Sequence, residues 1–397
     1  MKPFAFVGKL AASKSILNRT LLIQSYNPHL NVVGDSECDD VTHMKAGIAQ
    51  LFQGQDVQCG SAATVLRFLA VRASRIPGRH RLVGHARLLS RPHEELTKIL
   101  RQVGVKCEIT PEALIIESEG WRMHGDTLLV PSERSSQFAS AVLLNAWDLP
   151  FDLYVSLGGK KVSEGYWKMS VNIAQAFGMK IDFWDSDFRV VKMQQAKLQN
   201  PAGGNYVAEI DMSSAFALAA IAAVSGRATF LEFPDLSIQP DSQFVAILQT
   251  MGVPAVLSDG LLKVEKARVL NGIRVNLQST PDLFPVLAAL CALAEGESDL
   301  FGAPHLVHKE SDRLNSLAEL IKKLGREVIV KDDGMIVRGS ALNAARAPSV
   351  KFDCDHDHRL AFAAAVFKMA GFEIEIINGG VVTKSFPGFW EILGWAP

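Results

Sequence analysis

A recurring joint between a helix and a strand is the feature that most constrains how this chain can fold. Four segments with helical periodicity each end at a glycine, and a strand-like run follows. The pairs are Glu94–Val105 before Lys106–Ile116, Tyr166–Met179 before Lys180–Val191, Gln239–Val253 before Ala255–Val264, and Ser311–Gly325 before Glu327–Val337. Their glycines lie where a helix favours a left-handed C-terminal residue: Gly104, Gly178, Gly252 and Gly325. Their spacing of about 70–75 residues indicates repeated supersecondary units.

A second kind of helix alternates with the first, rich in small residues and beginning with polar residues after a strand. Its openings are Ser13–Arg19, Ser61–Arg67, Ser135–Phe138, Ser213–Phe216, Pro281–Phe284 and His356–Arg359. Ala215–Val224 and Leu360–Ala370 are apolar nearly all round, which predicts buried helices. Six openings indicate six βαβα-type units, three in each of two similar domains, with helices inside and sheets outside.

The chain of 397 residues is too long for one ordinary core, which favours two domains. We expect the chain to cross between them near Leu10–Ser13 and again near Glu209–Ser213. Residues 13–209 would then form the N-terminal domain, and residues 1–12 with 210–397 the C-terminal domain.

Composition excludes several classes of function. A net charge of −1 argues against a nucleic-acid binder, because such domains usually carry a basic excess. Met1–Ala12 is too short for a signal peptide, and runs such as Leu283–Ala294 fall well below the roughly 20 apolar residues that span a membrane. The cysteines are odd in number, scattered and without a CxxC pair, so we expect a reducing cytoplasm and neither a disulfide framework nor a zinc cluster; they are Cys38, Cys59, Cys107, Cys291 and Cys354.

The polar openings of the buried helices carry the candidate chemistry. A helix N-terminus offers unpaired N–H groups and the positive end of a dipole, which suits phosphate or carboxylate. Openings that add cations, hydroxyls or an amide are Ser13-Lys14-Ser15 with Arg19, Ser135-Ser136-Gln137, and Asp357-His358-Arg359. Arg67, inside the apolar stretch Val65–Val71, predicts an anionic partner.

Each of these features also has an ordinary structural explanation. Ser135-Ser136-Gln137 is typical of a helix N-cap, and Lys309–Arg313 of a solvated helix start capped by Ser311. Arg91 before Pro92 is typical of a surface arginine, and Lys384 of an exposed lysine. Single motifs therefore leave the function open.

Taken together, the motifs resemble the 5-enolpyruvylshikimate-3-phosphate synthase family along nearly the whole chain. The matching segments, in order, are Ser13-Lys14-Ser15 with Arg19, Asp39-Asp40, Gly60–Arg67, Arg91-Pro92, Ser135–Phe138, Ser163 with Tyr166, Pro281-Asp282, Lys309–Arg313, Asp357–Arg359, and Lys384 with Phe386-Pro387. The resemblance implies a two-domain inside-out α/β barrel of six units, with the active site in the cleft between the domains.

The resemblance also implies the reaction. The enolpyruvyl group of phosphoenolpyruvate is transferred to the 5-hydroxyl of shikimate 3-phosphate through a tetrahedral ketal, and phosphate is released. Neither a metal nor an organic cofactor is implied. We expect a cytoplasmic monomer with small-molecule substrates and no nucleic-acid or membrane partner.

Site residues are carried over position by position. The resemblance implies a catalytic role for Asp282, which would accept the hydroxyl proton, and for Lys14, Glu310 and Lys384. It implies that the acceptor contacts Lys14, Ser15, Arg19, Ser135, Ser136, Gln137, Ser163, Tyr166, Asp282, His305 and Lys309. It implies that phosphoenolpyruvate contacts Lys14, Ala63, Arg67, Arg91, Gln137, Arg313, Arg359 and Lys384.

Several positions depart from the family pattern. Ala11-Ala12 replaces the usual Pro-Gly, Ala63 replaces a frequent Gly, and Phe68 replaces a frequent Pro. The extra methyl of Ala63 predicts weaker inhibition by glyphosate. His305 stands where an Asn often contacts the acceptor phosphate, which leaves that contact open.

Three other functions are alternatives to this reaction. The sister enzyme that acts on UDP-N-acetylglucosamine usually carries a reactive Cys before its Arg-Pro, whereas Gly84–Pro92 has none. A transferase acting on another shikimate-like acceptor in secondary metabolism fits the altered motifs. A non-catalytic homologue is disfavoured because degenerate homologues normally lose their charged site residues, and here these are all present.

Overall fold

The structure of the protein is a computed structural model that describes residues 2–123, 125–159, 162–183, 190–194, 197–340 and 348–395. The chain divides into two compact units. The N-terminal unit is Ala12–Ala208, and the C-terminal unit is Met1–Ala11 with Glu209–Pro397. The predicted strand-like run Lys180–Val191 lies partly outside the described residues.

The described residues form α-helices in both units. In the N-terminal unit they are α1 (Lys14–Gln24), α2 (Asp39–Phe52), α3 (Ala63–Ala73), α4 (Ala86–Leu89), α5 (Glu94–Gln102), α6 (Gln137–Leu144) and α7 (Glu164–Ala176). In the C-terminal unit they are α8 (Met212–Ser225), α9 (Phe244–Thr250), α10 (Phe284–Ala292), α11 (Arg313–Lys323), α12 (His358–Met369) and α13 (Phe389–Leu393). No helix among the described residues is long and apolar enough to cross a membrane.

The strands are short and evenly distributed along the chain. They are β1 (Phe4–Gly8), β2 (Val32–Val33), β3 (Val57–Gln58), β4 (Gly78–Val83), β5 (Lys106–Ile109), β6 (Ala113–Ser118), β7 (Thr127–Pro131), β8 (Leu153–Gly158), β9 (Ile181–Phe183), β10 (Val190–Met193), β11 (Tyr206–Val207), β12 (Gly226–Phe230), β13 (Ala255–Ser258), β14 (Leu261–Glu265), β15 (Arg274–Asn276), β16 (Gly296–Phe301), β17 (Glu327–Lys331), β18 (Gly334–Gly339), β19 (Val350–Asp353) and β20 (Ile374–Ile377).

One sheet pattern occurs four times. In the orders β3-β4-β6-β5, β7-β8-β10-β9, β1-β12-β14-β13 and β15-β16-β18-β17, the first pair is parallel and the other two pairs are antiparallel. Each unit adds a two-stranded parallel sheet, β11-β2 or β19-β20. Among the described residues each unit therefore has three sheets, and the predicted repeat is confirmed.

The predicted glycine joints are confirmed as left-handed helix ends. Gly104, Gly178, Gly252 and Gly325 have φ between 76° and 97°. After α5, the N–H of Gly104 donates to the Arg101 carbonyl and that of Val105 to the Leu100 carbonyl, which is a Schellman motif. The same pair of bonds follows α7, α9 and α11. These bonds satisfy carbonyls that a helix end would otherwise leave unpaired.

Each strand-like run contributes two antiparallel strands, whereas the sequence pattern predicts one continuous run. The run after Gly252, for example, turns at Asp259-Gly260 between β13 and β14. Asp-Gly is a strong hairpin signal because both residues tolerate positive φ, and here φ is 52° and 71°. The helix predicted over Gln239–Val253 also divides, into a 3₁₀ turn at Pro240–Gln243 and α9.

Alanine-rich helices form the centre of the C-terminal unit. Helix α12 packs against α8 and α10, and all three are buried along nearly their whole length. Small side chains let the helices approach, since an extra methylene in a packed core typically costs about 1–3 kcal/mol. The predicted burial of Ala215–Val224 is confirmed; in Leu360–Ala370 only Lys368 and Ala370 are half-exposed.

The sheets cover these helices with one face and expose the other. Strand β14, which packs against α8, alternates buried and exposed residues, with Leu262 and Val264 buried and Lys263 and Glu265 exposed. The predicted α/β class, with helices inside and sheets outside, is confirmed. The arrangement leaves the polar openings of the buried helices at the ends of the helix layer, where the predicted site residues lie.

Candidate active site

Lys14 is the first residue of α1 and lies beside a carboxylate from the next helix. Its Nζ is 3.0 Å from Oδ2 of Asp40, and both side chains are mostly buried. Asp40 belongs to the first turn of α2, where a negative charge also suits the helix dipole. The ion pair thus fixes the lysine at a helix N-terminus. No role was predicted for Asp40, although Asp39-Asp40 was one of the matching segments.

Arg19 is a buried cation whose three hydrogen bonds go to neutral oxygens. Its Nε donates to the Ser170 hydroxyl at 2.7 Å, Nη1 to the Ser15 carbonyl at 2.7 Å, and Nη2 to the Tyr166 carbonyl at 3.3 Å. Burial lowers the pKa of Arg19 to about 10, so the guanidinium still carries its charge at neutral pH. A desolvated positive charge held by neutral acceptors favours an anion nearby.

Arg67 and Gln137 form a connected polar group between α3 and α6. Arg67 Nη1 donates to Oε1 of Gln137 at 2.9 Å and to the Ser135 hydroxyl at 3.2 Å. Gln137 in turn donates through Nε2 to the hydroxyl of Thr64 at 2.9 Å. Ala63 begins the helix that carries Arg67 and is buried. The structure thus brings four of the predicted residues to two adjoining helix openings.

The openings of α6 and α7 place serine hydroxyls just before a helix. Ser136 and Ser163 are the N-cap residues, yet neither side chain caps its own helix. Ser163 has φ 55°, a left-handed conformation that costs a non-glycine residue free energy. Tyr166 follows in the first turn of α7, and its carbonyl accepts from Arg19. Neither serine hydroxyl therefore makes a capping hydrogen bond to the helix that it precedes.

A cluster of acids and arginines forms the corresponding site in the C-terminal unit. Asp282 lies in the 3₁₀ turn Pro281–Leu283 that precedes α10. Its Oδ2 is 2.7 Å from Nη2 of Arg359, and its Oδ1 is 3.3 Å from Nη1 of Arg313. Arg359 also donates to the Asp282 carbonyl at 3.0 Å. Two arginines from separate parts of the sequence thus meet at one carboxylate.

Asp357 holds this cluster from beneath and is completely buried, with 0% exposure. It accepts from Nε and Nη2 of Arg313 at 2.7 and 3.2 Å, and from the Ser311 hydroxyl at 3.0 Å. As N-cap of α12 it also accepts the backbone N–H of Arg359 at 3.0 Å. One carboxylate therefore contacts the guanidinium of Arg313 and the backbone of Arg359. The resemblance implies no role for Asp357, whose contact with Arg313 spans 44 residues of sequence.

Burial overturns two ordinary explanations of the motifs. Arg313 is only 1% exposed, and Nη2 donates to Oε2 of Glu310 at 3.0 Å, so Lys309–Arg313 is not simply a solvated helix start. Lys384 is 6% exposed at the end of the 3₁₀ turn Gly379–Lys384, so it is not a surface lysine. His305 is buried too, and burial followed by the charge of Lys309 lowers its pKa to about 2.

The charges of the cluster determine the protonation state of Asp282. Burial disfavours its carboxylate, but the positive charges of Arg359, Lys309 and Arg313 outweigh burial and hold its pKa below the ordinary value of 3.8. Burial likewise disfavours the charged form of Arg313, and Asp357 leads the carboxylates that raise its pKa above the ordinary value instead. Asp282 is therefore ionised, and it is hydrogen-bonded to two cations.

All of the predicted site residues lie in one or the other of the two units. Lys14, Ser15, Arg19, Ala63, Arg67, Arg91, Ser135, Ser136, Gln137, Ser163 and Tyr166 belong to the N-terminal unit, and Asp282, His305, Lys309, Glu310, Arg313, Arg359 and Lys384 to the C-terminal unit. Within the part of the chain that the structure describes, no group of three or more His, Cys, Asp or Glu side chains is placed to hold a metal ion.

Comparison with known families gives a match over almost the whole chain. The family described as EPSP synthase (3-phosphoshikimate 1-carboxyvinyltransferase) matches residues 11–393. The chain is 32% identical over 341 residues to the 3-phosphoshikimate 1-carboxyvinyltransferase of Methanoculleus marisnigri, covering 85% of this chain and 78% of that protein. It is 28% identical over 413 residues to that of Halobacterium salinarum strain R1, covering 96% and 94%.

Solved structures share the fold. The EPSP synthase of Acinetobacter baumannii superposes with a TM-score of 0.71 at 21% identity, covering 99% of this chain and 96% of that one. The enolpyruvyl transferase NikO of Streptomyces tendae superposes with a TM-score of 0.70 at 15% identity, covering 99% and 95%. At such identities the likeness concerns the fold alone.

Proposed function

The chain belongs to the EPSP synthase family, and on this premise we propose how its residues carry out the family reaction. The enzyme transfers the enolpyruvyl group of phosphoenolpyruvate to the 5-hydroxyl of shikimate 3-phosphate and releases phosphate. The observation that carries the assignment of roles is the Asp282 carboxylate between Arg359 and Arg313.

The two units divide the binding of two anionic substrates. In the N-terminal unit, Lys14 and Arg19 bind the acceptor, together with the serine hydroxyls at the openings of α6 and α7. Arg67 and Arg91 in the same unit and Arg313, Arg359 and Lys384 in the C-terminal unit bind phosphoenolpyruvate. The support is electrostatic, because a site for two anions needs several fixed cations. Binding of the two substrates therefore draws on residues of both units.

Asp282 is the base that takes the proton from the attacking hydroxyl. As this proton leaves, a bond forms between the hydroxyl oxygen and C2 of phosphoenolpyruvate, and the methylene carbon gains a proton. The product of this step is a tetrahedral ketal that still carries the phosphate. Asp282 is ionised at neutral pH, as a base must be, but its two arginine partners make it a weak one.

Substrate binding strengthens this base. The carboxylate and phosphate of phosphoenolpyruvate compete with Asp282 for the donors of Arg359 and Arg313. Once these donors turn to the substrate, less positive charge stabilises the Asp282 carboxylate and its pKa rises toward the ordinary range. The base thus gains strength when the molecule that will react is in place.

The second half of the reaction reverses the proton transfer to carbon. The methyl group of the ketal loses a proton, the bond between C2 and the phosphate oxygen breaks, and phosphate leaves. Glu310 and Lys384 exchange the carbon-bound proton and assist the departing phosphate, and Lys14 stabilises charge on both substrates. Fixed cations suit these steps because they need no reorganisation as the charge develops.

Phosphate release from the purified enzyme tests the proposal. Shikimate 3-phosphate with phosphoenolpyruvate should give phosphate at a rate that Asp282→Ala lowers by about 10²–10⁴. Release with UDP-N-acetylglucosamine and none with shikimate 3-phosphate would assign another acceptor, and none with either would indicate a non-catalytic homologue. We further propose a cytoplasmic monomer, which sedimentation and cell fractionation test.

A further inference from the structure

The side chain of His93 makes a hydrogen bond across the loop that carries Arg91, and the proposed reaction assigns no role to His93. The loop runs from Gly84 through the short helix α4 to Pro92, and His93 follows as the N-cap residue of α5. An N-cap side chain normally accepts from its own helix, but that of His93 does not. Its imidazole instead points back to the loop, where Nε2 lies 2.8 Å from the Leu88 carbonyl oxygen.

The direction of this hydrogen bond fixes the state of the ring. A carbonyl only accepts, so Nε2 carries the proton and donates. The Nδ1 atom has no hydrogen-bond partner among the described residues. His93 is 2% exposed, and burial with the charge of Arg67 lowers its pKa to about 4. The ring is therefore neutral at physiological pH and supplies a donor without adding a charge beside Arg67 and Arg91.

The bond spans the loop and leaves Arg91 between its two ends. The Leu88 carbonyl also accepts the backbone N–H of Arg91 at 3.3 Å, and the Pro92 carbonyl accepts from Nη2 of Arg67 at 3.4 Å. Both backbone contacts are long, so the shorter imidazole bond is the stronger link between Leu88 and the start of α5. The N–H groups of Leu88 and Leu89 donate to the His85 carbonyl and that of Ser90 to the Ala86 carbonyl, but these bonds lie within the α4 segment and do not reach α5.

We propose that His93 is a positioning residue, whose hydrogen bond to Leu88 holds Arg91 in the place where it binds phosphoenolpyruvate. This inference rests on the proposed function, because Arg91 is assigned to that substrate there. The inference predicts a larger change in KM than in kcat, since a misplaced binding residue weakens the binding of the ground state and of the transition state alike.

Two substitutions at one position separate the hydrogen bond from packing. His93→Phe keeps a ring of similar size but has no donor, and His93→Gln keeps a neutral donor. We expect His93→Phe to raise the KM for phosphoenolpyruvate about fivefold to tenfold, the range that one buried hydrogen bond allows, with kcat within about twofold. His93→Gln should restore most of the affinity.

His80 provides a matched control. Its Nε2 makes the same kind of bond, 2.9 Å to the Ile76 carbonyl oxygen, but on strand β4 of the outer sheet. His80→Phe should leave the KM for phosphoenolpyruvate unchanged. An equal rise in His80→Phe, no rescue by His93→Gln, or an unchanged KM in His93→Phe would each overturn the proposal.

Amide hydrogen exchange tests the same bond without turnover. The amides of residues 86–92 should exchange faster in His93→Phe than in the wild type or in His80→Phe. Unaltered exchange would contradict the proposal that the hydrogen bond from His93 to Leu88 orders the loop. If the wild type releases no phosphate from shikimate 3-phosphate and phosphoenolpyruvate, the proposed function fails, whereas the exchange result still decides whether His93 orders the loop.

Discussion

The carboxylate of Asp282 lies 2.7 Å from the guanidinium of Arg359, so the proposed base and a proposed substrate-binding cation are paired with each other. A charge-assisted hydrogen bond of this length is strong, and Arg313 adds a longer one to the other carboxylate oxygen. Each residue must leave its partner, at least in part, before it can act on substrate. This pairing therefore makes the binding of phosphoenolpyruvate and the basicity of Asp282 depend on each other.

Replacing Asp282 with asparagine should therefore change affinity and turnover in opposite directions. Asp282→Asn removes the competing negative charge, so the dissociation constant of phosphoenolpyruvate should fall about tenfold while kcat falls about 10²–10⁴. Calorimetric titration and phosphate release measure the two effects. Asp299→Asn removes a carboxylate paired with Lys331 and Arg274 on the outer sheet and should change neither. Unchanged affinity in Asp282→Asn would rule out the competition.

The same ion pair predicts how stability depends on pH. The pKa of Asp282 is lower in the folded protein than its ordinary value of 3.8. Its contribution to the free energy of unfolding is thus present in full above that value and is lost as the pH falls below it toward the folded pKa. Urea unfolding should show a constant gap between the wild type and Asp282→Asn above about pH 5, narrowing below about pH 4. A gap that already narrows between pH 7 and 6 would point to a different group.

Asp357 should matter for the stability of the folded protein. Asp357→Ala leaves the guanidinium of Arg313 buried without its main partner, and removing one partner of a buried pair typically costs about 3–5 kcal/mol. Asp312→Ala is the matched control, because Asp312 is also an N-cap residue, of α11, but pairs with Asn315 at the surface. Loss of that cap should cost only about 1 kcal/mol. Equal losses in chemical denaturation would mean that Asp357 acts only as a cap.

Ala63 should set the sensitivity to glyphosate. It is the buried first residue of α3, whose opening also carries Thr64 and Arg67. Ala63→Gly removes one methyl group beside the proposed phosphoenolpyruvate site, and we expect inhibition at lower glyphosate concentration with a smaller change in the KM for phosphoenolpyruvate. Ala73→Gly places the same change at the other end of α3 and should not alter inhibition. Equal inhibition of the wild type and Ala63→Gly would remove Ala63 from this role.

Local rules predicted much of the fold. A glycine after a helix predicts a left-handed helix end because glycine itself tolerates positive φ. Gly104 and Gly325 could therefore be assigned without any knowledge of their surroundings. The sequence pattern does not predict the hairpins although Asp259-Gly260 is a turn signal, because β-forming residues lie on both sides of it and resemble one continuous strand.

Only the site residues that belong to short sequence motifs could be predicted. Lys14 and Arg359 stood out because they occur at polar openings of apolar helices. Asp357 belongs to the same opening as Arg359, but its contact with Arg313, like that of Asp40 with Lys14, arises only in the tertiary structure. His93 was missed for a related reason: its N-cap position suggests a capping role, and the carbonyl that it binds lies in the preceding loop.

The pairing of β1 with β12 has a consequence for the order in which the protein forms. Phe4 lies opposite Gly226, and the whole N-terminal unit lies between them in the chain. During synthesis the first strand must wait, unpaired, until the ribosome has made more than half of the protein, whereas residues 12–208 emerge as one continuous segment. Closing so long a loop is slow and entropically costly. The N-terminal unit should therefore fold first, and the C-terminal unit should be the last to resist proteolysis in a pulse-labelled nascent chain.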